Sequence, residues 1–145
     1  MKVGIISDHR GYELKKNIIK KMKDVDFVDL GTDSTKSVDY PIYAFELGKK
    51  ISKKEVDLGI AICGSGIGMS IALNKVKGVR CARVSSIKDT IYTRKDNNSN
   101  AIAFSADLNF DRVIRMIEEF INTPFSKEER HVRRINMIKE YENKK

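Results

Sequence analysis

Signals for disulfide pairing, export and membrane insertion are scarce in this chain of 145 residues, which has no tryptophan, two prolines and two cysteines. Cys63 and Cys81 alone do not support a disulfide scaffold, and the N-terminus lacks the long apolar segment of a signal peptide, so we expect a cytoplasmic protein. No apolar run reaches membrane-spanning length. Linkers rich in Pro, Gly or Ser are also missing, and we expect a single domain over residues 1–145.

The formal net charge is +8, but its distribution argues against nucleic-acid binding. The lysines are spread over predicted helix faces and both termini, and the Phe and Tyr residues are not interleaved with basic runs as a stacking platform requires. A phosphorylated small molecule would use the charge more locally, at His9–Arg10 and at Arg130–Arg134. The histidines and cysteines lack metal-ligand spacing, so we expect neither a metal nor a cofactor.

Short apolar runs alternate with helical periodicity along the chain. This alternation predicts an α/β fold, a three-layer α/β/α Rossmann-like domain with a five-stranded parallel sheet. Four-residue spacing marks two apolar helix stripes, and further helices are expected from Ile67, after Ser86 and over Val113–Ile121. The predicted strands are Lys2–Ser7, Asp26–Leu30, Leu58–Cys63, Val79–Val84 and Ala101–Phe104.

An extra C-terminal helix is predicted over residues 126–145. It begins at Ser126, where Ser-Lys-Glu-Glu has the form of a capping box. Its apolar stripe, Val132, Ile135, Ile138 and Tyr141, follows a sheet that its other helices already cover. A second subunit would bury that stripe, so we expect a homodimer, with a tetramer also open.

The segment Leu58–Gly68, LGIAICGSGIG, predicts a buried strand, a tight turn and a helix. It places the Cys63 thiol beside a helix N-terminus, where unpaired amides favour negative charge. The glycines let a small anionic ligand approach those amides closely. The spacing G-x-G-x-G after the third strand fits neither a dinucleotide fingerprint nor a P-loop. Cys81 has no glycine or cap nearby and is expected to pack in the core.

Ligands of open parallel sheets bind outside the carboxyl ends of the strands. Asp8, His9 and Arg10 follow the first strand, Cys63 ends the third, and Ser105–Asp107 follow the fifth. Asp8 alone suits a turn or helix cap as well as a functional role. Together with an imidazole and a guanidinium at one strand end, it favours a binding site.

These residues resemble a known family, the B-type ribose-5-phosphate isomerases, which are grouped with the galactose-6-phosphate isomerase subunits. The resemblance covers essentially the whole chain. Its matching segments are Ser7-Asp8-His9-x-Gly11, Asp39-Tyr40-Pro41, Cys63-Gly64-Ser65-Gly66-Ile67-Gly68, Asn74-Lys75, Gly78-Val79-Arg80, Asn97 with Asn100, and Arg130-His131-x-x-Arg134.

The resemblance implies a metal-free aldose–ketose isomerase that acts on an open-chain sugar phosphate through an enediolate. Cys63 would move the proton between the two carbons, and the Ser65 hydroxyl would assist the turn amides that hold the enediolate oxygens. Family members assemble the phosphate site across a dimer interface. The residues implied in substrate binding are Asp8, His9, Tyr40, Gly64, Gly66, Ile67, Gly68, Asn97, Arg130 and Arg134.

Two positions depart from the family pattern. Asp96 stands where a histidine is assigned to opening the sugar ring, and Asp107 stands where many members have a phosphate-binding arginine. We hypothesise that Arg10 supplies the missing cation, held by Asp107. Asp96 can still act as the ring-opening acid or base, and the alternative is a sugar ring that opens without help.

Ribose 5-phosphate and ribulose 5-phosphate are the first substrate pair expected. The departures leave open an isomerase of another pentose or hexose phosphate, of the galactose-6-phosphate type. They also leave open a sugar-phosphate-binding paralogue with weak or lost activity.

Overall fold

The computed structural model describes residues 1–144, in which strands and helices alternate as predicted. The order of elements follows the chain: β1 Lys2–Ser7, α1 Tyr12–Lys21, β2 Asp26–Asp29, α2 Tyr40–Ser52, β3 Leu58–Cys63, α3 Ile67–Leu73, β4 Cys81–Arg83, α4 Ile87–Asn97, β5 Ala101–Ser105, α5 Phe110–Asn122 and α6 Glu129–Asn143.

The five strands form one parallel sheet in the order β2-β1-β3-β5-β4. Side chains alternate across it, so that Ile60 and Ile62 pack with α1 and α5 while Ala61 and Cys63 pack with α2 and α3. All six residues of the central strand β3 are buried, as a strand covered by helices on both faces requires. The predicted three-layer α/β/α architecture is therefore confirmed.

Some strand bounds differ from the prediction at their ends. The strand β4 runs only from Cys81 to Arg83, because the Val79 amide closes a turn onto the carbonyl of Val76. The strand β2 ends at Asp29, one residue short of the predicted Leu30. In β5 the pairing continues to Ser105, which lies opposite Cys63.

The last helix begins later than predicted. Ser126 does not start it, because the Ser126 hydroxyl accepts the amide of Glu128 and Lys127 has a positive φ of 62°, a backbone conformation outside the right-handed helix. The helix α6 packs beside α4, and of its predicted stripe only Ile135 is buried. Ile138 and Tyr141 remain 50% and 80% exposed. None of the helices within residues 1–144 has the length and apolar character needed to cross a membrane.

Candidate active site

The turn from Cys63 to Gly68 joins β3 to α3 and brings a thiol against backbone amides. The Gly66 amide donates a hydrogen bond to Cys63 Sγ at 3.1 Å. Gly66 has a φ of +79°, and a Cβ there would lie 2.7 Å from the Cα of Phe104. Only glycine meets both demands without displacing β5. The turn therefore offers the thiol of a buried residue, Cys63 being 5% exposed, with a fixed hydrogen-bond donor.

The end of β5 holds this turn in place. The Ser105 hydroxyl donates to the Gly64 carbonyl at 2.7 Å, and the Ala106 amide donates to the Cys63 carbonyl at 2.9 Å. Two adjacent carbonyls of the turn are thus fixed by the neighbouring strand. Of the turn amides, those of Gly66 and Ile67 bond side chains of the turn itself, and those of Ser65 and Gly68 remain to face a ligand.

Ser65 lies exposed at the outer corner of the turn. Its hydroxyl oxygen accepts the Ile67 amide at 3.1 Å, a local bond typical of the start of a helix. Its carbonyl accepts the Nε–H of Arg83 at 3.1 Å. Arg83 belongs to no sequence motif, so its position near the end of a predicted strand carries no signal of this contact.

Asp8 serves the turn that follows β1, as its turn interpretation predicts. Its Oδ1 accepts the amides of Arg10 and Gly11 at 2.9 and 3.0 Å. The Asp8 amide in turn donates to the carbonyl of Ile62, so the carboxylate is held next to the end of β3. A carboxylate that accepts amides with one oxygen keeps acceptor capacity on the other for a ligand hydroxyl.

His9 is oriented by the connection before α2. Its Nδ1 accepts the amide of Val38 at 3.2 Å. A neutral imidazole that accepts at Nδ1 carries its proton on Nε2. His9 therefore offers an Nε2–H donor to an anion.

Arg10 and Asp107 form the ion pair that was hypothesised. The guanidinium Nη2 lies 3.7 Å from Asp107 Oδ2, with side-chain exposures of 58% and 77%. Arg10 also covers Gly64, where an added Cβ would collide with the guanidinium. Because the pair is exposed, it contributes little to stability, but it places a cation over the turn Cys63–Gly68.

Tyr40 packs against the first turn of α3. A Cβ on Gly68 would meet the Tyr40 ring and hydroxyl at 2.6–2.7 Å, so the absence of a side chain at Gly68 makes room for the phenol. Tyr40 thus flanks the same turn as Cys63, from the α2 side.

The connection that follows β2 is fastened by a buried lysine. The side chain of Lys15, 0% exposed, donates from Nζ to Asp29 Oδ1 at 2.6 Å and to the Thr32 carbonyl at 2.5 Å. Thr32 and Gly31 exchange backbone hydrogen bonds with Ser7, immediately before Asp8. The segment beside the candidate site is therefore anchored to α1.

The other predicted site residues, Asp96, Asn97, Arg130 and Arg134, lie at the opposite end of the sheet. The 11-residue helix α4 starts after β4 and returns to the start of β5, a run of about 16 Å at the usual helical rise. Asp96 and Asn97 are at its far end. The Ser126 amide donates to the Lys95 carbonyl, which places the start of α6 there too. One chain does not bring these four residues to Cys63.

Asp96 and its neighbours contact the start of α6 and Arg80 at this far end. His131 Nε2 lies 3.4 Å from Asp96 Oδ1, without hydrogen-bond geometry. Arg80 donates to the carbonyls of Asn97 and Asn98, and burial lowers its pKa from the ordinary arginine value. Arg130 pairs with Glu128 at 3.0 Å. Among residues 1–144, no ion pair engages Arg134.

Cys81 packs against the core layer under α2 and α3, as expected, but from a partly buried position at its edge. Burial raises the pKa of its thiol to about 12, so the group stays protonated and unreactive near neutral pH. Within residues 1–144, no group of three or more His, Cys, Asp or Glu side chains is arranged to hold a metal ion.

Comparisons with known proteins agree on one family. The model of the Ribose/Galactose Isomerase family matches residues 3–138. A Bacillus subtilis relative is 42% identical over 99% of both chains, and its name gives the class sugar phosphate isomerase without a particular sugar. Ribose-5-phosphate isomerase B of Mycobacterium tuberculosis is 34% identical, with 98% of this chain and 90% of that protein covered.

A solved structure of ribose-5-phosphate isomerase B from Mycoplasma genitalium, with bound ribulose-5-phosphate, superposes with a TM-score of 0.93. It is 38% identical in sequence and covers 99% of this chain and 97% of its own.

Proposed function

The chain belongs to the Ribose/Galactose Isomerase family and is an aldose–ketose isomerase, and we propose that it interconverts ribose 5-phosphate and ribulose 5-phosphate with Cys63 as the proton-transfer base. The observation that carries the assignment to Cys63 is the 3.1 Å hydrogen bond from the Gly66 amide to Sγ. That donor stabilises a thiolate, the form that accepts a proton.

The proposed reaction moves one proton between neighbouring carbons. The Cys63 thiolate removes the proton from the carbon next to the aldehyde, and the electron pair forms the enediolate. The remaining turn amides, with the Ser65 hydroxyl, stabilise its negative oxygens. The hydroxyl proton of the second carbon then moves to the oxygen of the former aldehyde, and the thiol returns the carbon-bound proton to the former aldehyde carbon, which yields the ketose and regenerates the thiolate. Asp8 orients the sugar hydroxyls, and Tyr40 lines the pocket.

We assign the phosphate to His9 and Arg10 of one chain together with Arg130 and Arg134 of a second copy. The positions in the fold support this division, because the two arginines of α6 lie at the other end of the sheet from Cys63. The exposed stripe of α6 supports a partner there. So does a cavity of about 870 Å³ bordered by Arg80, Asn97, Ile138 and Tyr141. A homodimer that buries this stripe would complete each site with Asn97 and Asp96 of its partner.

Deuterium exchange tests the proposal directly. The protein is incubated with ribose 5-phosphate, and in parallel with other pentose and hexose phosphates, in deuterated water. Deuterium is expected at the carbon next to the carbonyl with ribose 5-phosphate. Cys63→Ala should lower the exchange rate by a factor of about 10²–10⁴, while the matched control Cys81→Ala should leave it unchanged.

Equal exchange by Cys63→Ala and the parent protein would overturn the role of Cys63. Exchange with a hexose phosphate alone would instead identify an isomerase of the galactose-6-phosphate type. Binding without exchange for every sugar in the panel would identify a binding paralogue, the candidate that Asp107 favours because it replaces a cation with an anion.

Asp96 has a separate test, because ring opening is needed in only one direction. Ribulose 5-phosphate has no furanose form, since its terminal oxygen carries the phosphate. We expect Asp96→Asn to slow turnover of ribose 5-phosphate several-fold and to leave deuterium exchange into ribulose 5-phosphate unchanged. Equal losses in both assays would remove Asp96 from ring opening.

A further inference from the structure

Arg83 reaches Cys63 through a single peptide unit. The carbonyl of the Ser65–Gly66 peptide accepts the Arg83 Nε–H at 3.1 Å, and the N–H of the same peptide donates to Cys63 Sγ at 3.1 Å. A cation at the oxygen of an amide draws electron density from its nitrogen and strengthens the N–H as a donor. We propose that Arg83 is a positioning residue that stabilises the Cys63 thiolate through this peptide.

The placement of Arg83 follows from the register of the sheet. Arg83 lies opposite Ala103 in β5, and Ala103 packs in the core layer that also contains Cys63. Paired residues of parallel strands project to the same face, so Arg83 and Cys63 point toward the α2–α3 side. From the edge strand, the guanidinium crosses the end of β5 to reach the turn.

The bond to Arg83 also determines how the peptide is oriented. The carbonyls of Cys63 and Gly64 are already fixed by β5, whereas the Ser65 carbonyl accepts no hydrogen bond from the backbone of β5. Without Arg83, water would be its partner and the peptide could rotate. Rotation would turn the Gly66 N–H away from sulfur, so the guanidinium acts through both its charge and its geometry.

Other charged and titratable groups surround the turn, and they influence the Cys63 thiol equally in the parent protein and in the Arg83 variants. They are Asp8, His9 and Arg10 after β1, Tyr40 at the start of α2 and Asp107 after β5. Arg10 and Asp107 pair with each other, which leaves Arg83 as the cation bonded to the turn backbone itself.

The inference rests on the proposed role of Cys63 but is tested without any substrate. The thiolate is followed by its ultraviolet absorbance as the pH is raised, in a Cys81→Ala background, and each protein is read against its own Cys63→Ala counterpart to remove the tyrosine signal. In Arg83→Leu the midpoint of thiolate formation should move to higher pH. Below the midpoint, the thiolate fraction should fall about threefold, the effect of one charge across several ångströms of solvated protein.

Two further variants distinguish the effect of the Arg83 charge on Cys63 from a general effect of losing an arginine. Arg83→Lys keeps the cation and should give a midpoint between the parent and Arg83→Leu. Arg115→Leu removes an exposed arginine of α5 and should match the parent. If Arg83→Leu and Arg115→Leu have the same midpoint, the inference is wrong. If the midpoint shifts as expected while Cys63→Ala still exchanges deuterium, the inference stands and the proposed role of Cys63 fails.

Discussion

The two ends of the sheet are built differently, although both contain residues predicted for the same site. At the carboxyl end, the turn Cys63–Gly68 is tied to β5, to Arg83 and to Tyr40 within one chain. At the amino end, Arg130 and Arg134 lie exposed on α6 beside an apolar stripe of which only Ile135 is buried within residues 1–144. One end is preorganised by its own chain, whereas the other end depends on what binds to it.

The largest effect is expected when the two ends are placed on different chains. Cys63→Ala and Arg134→Ala, each nearly inactive alone, should regain activity when they are coexpressed. Random pairing makes half of the dimers hybrids, and each hybrid has one intact site of its two. About a quarter of the parent activity should therefore return, which isomerase assays on the coexpressed proteins measure.

The control pairs Cys63→Ala with the double variant Cys63→Ala, Arg134→Ala, which can rebuild no intact site. If the first mixture is no more active than this control, the two ends do not form a shared site.

A glycine at each end provides the next comparison. Gly66 and Gly78 both have positive φ, but a Cβ on Gly78 would find nothing closer than 3.6 Å, against 2.7 Å for Gly66. Gly78→Ala should cost about 1 kcal/mol of stability from backbone strain. Gly66→Ala adds a collision with β5, which we expect to cost about 2 kcal/mol more. Urea denaturation measures both costs, and equal values would show that the turn adapts more than its contacts suggest.

Arg10 tests whether the carboxyl end already carries a phosphate-binding cation. Arg10→Ala should raise the KM for the sugar phosphate about tenfold, with a smaller change in kcat, because an exposed charge-assisted hydrogen bond is lost. Asp107→Asn should change KM less, since it removes only a partner of that cation. An unchanged KM in Arg10→Ala would contradict the compensation for Asp107.

The Cys81 thiol gives the smallest effect near neutral pH, where the folded and the unfolded state both keep its proton. Native Cys81 keeps its proton up to a pKa of about 12, whereas an unfolded cysteine loses it near pH 8.5. Between these values the unfolded state binds fewer protons, so stability falls as pH rises, by up to about 1.4 kcal/mol per pH unit. Denaturation from about pH 8 to about pH 10 should show a shallower loss in Cys81→Ala than in the parent protein. Parallel curves would mean that the thiol is more hydrated than its burial indicates.

The carboxyl end could be predicted well from the sequence because its chemistry is local. Cys63 and its glycines are adjacent in the chain, and β1 and β3, which are neighbours in the sheet, end beside each other. Asp8 has the turn contacts that its position predicts, and its role toward a ligand stays a prediction.

Other features depended on contacts that the spacing of residues does not reveal. Arg83 reaches the turn only because β4 pairs with β5 and not with β3. The separation of Asp96 from Cys63 follows from the direction of α4. The late start of α6 depends on the backbone of Lys127, where the capping pattern of Ser126 was satisfied by a turn instead of a helix.

The buried Lys15 has a consequence for motion. If the connection at Gly31–Thr32 opened, the buried ammonium group would keep its pairing with Asp29 but lose its hydrogen bond to the Thr32 carbonyl, which leaves one donor of a buried charge unsatisfied. We therefore expect the amides of Gly31 and Thr32 to exchange their hydrogens with solvent as slowly as those of β1, in contrast to most connections between elements. A substrate would then enter past the exposed side chains of Arg10 and Asp107, while the connection at Gly31–Thr32 stays closed.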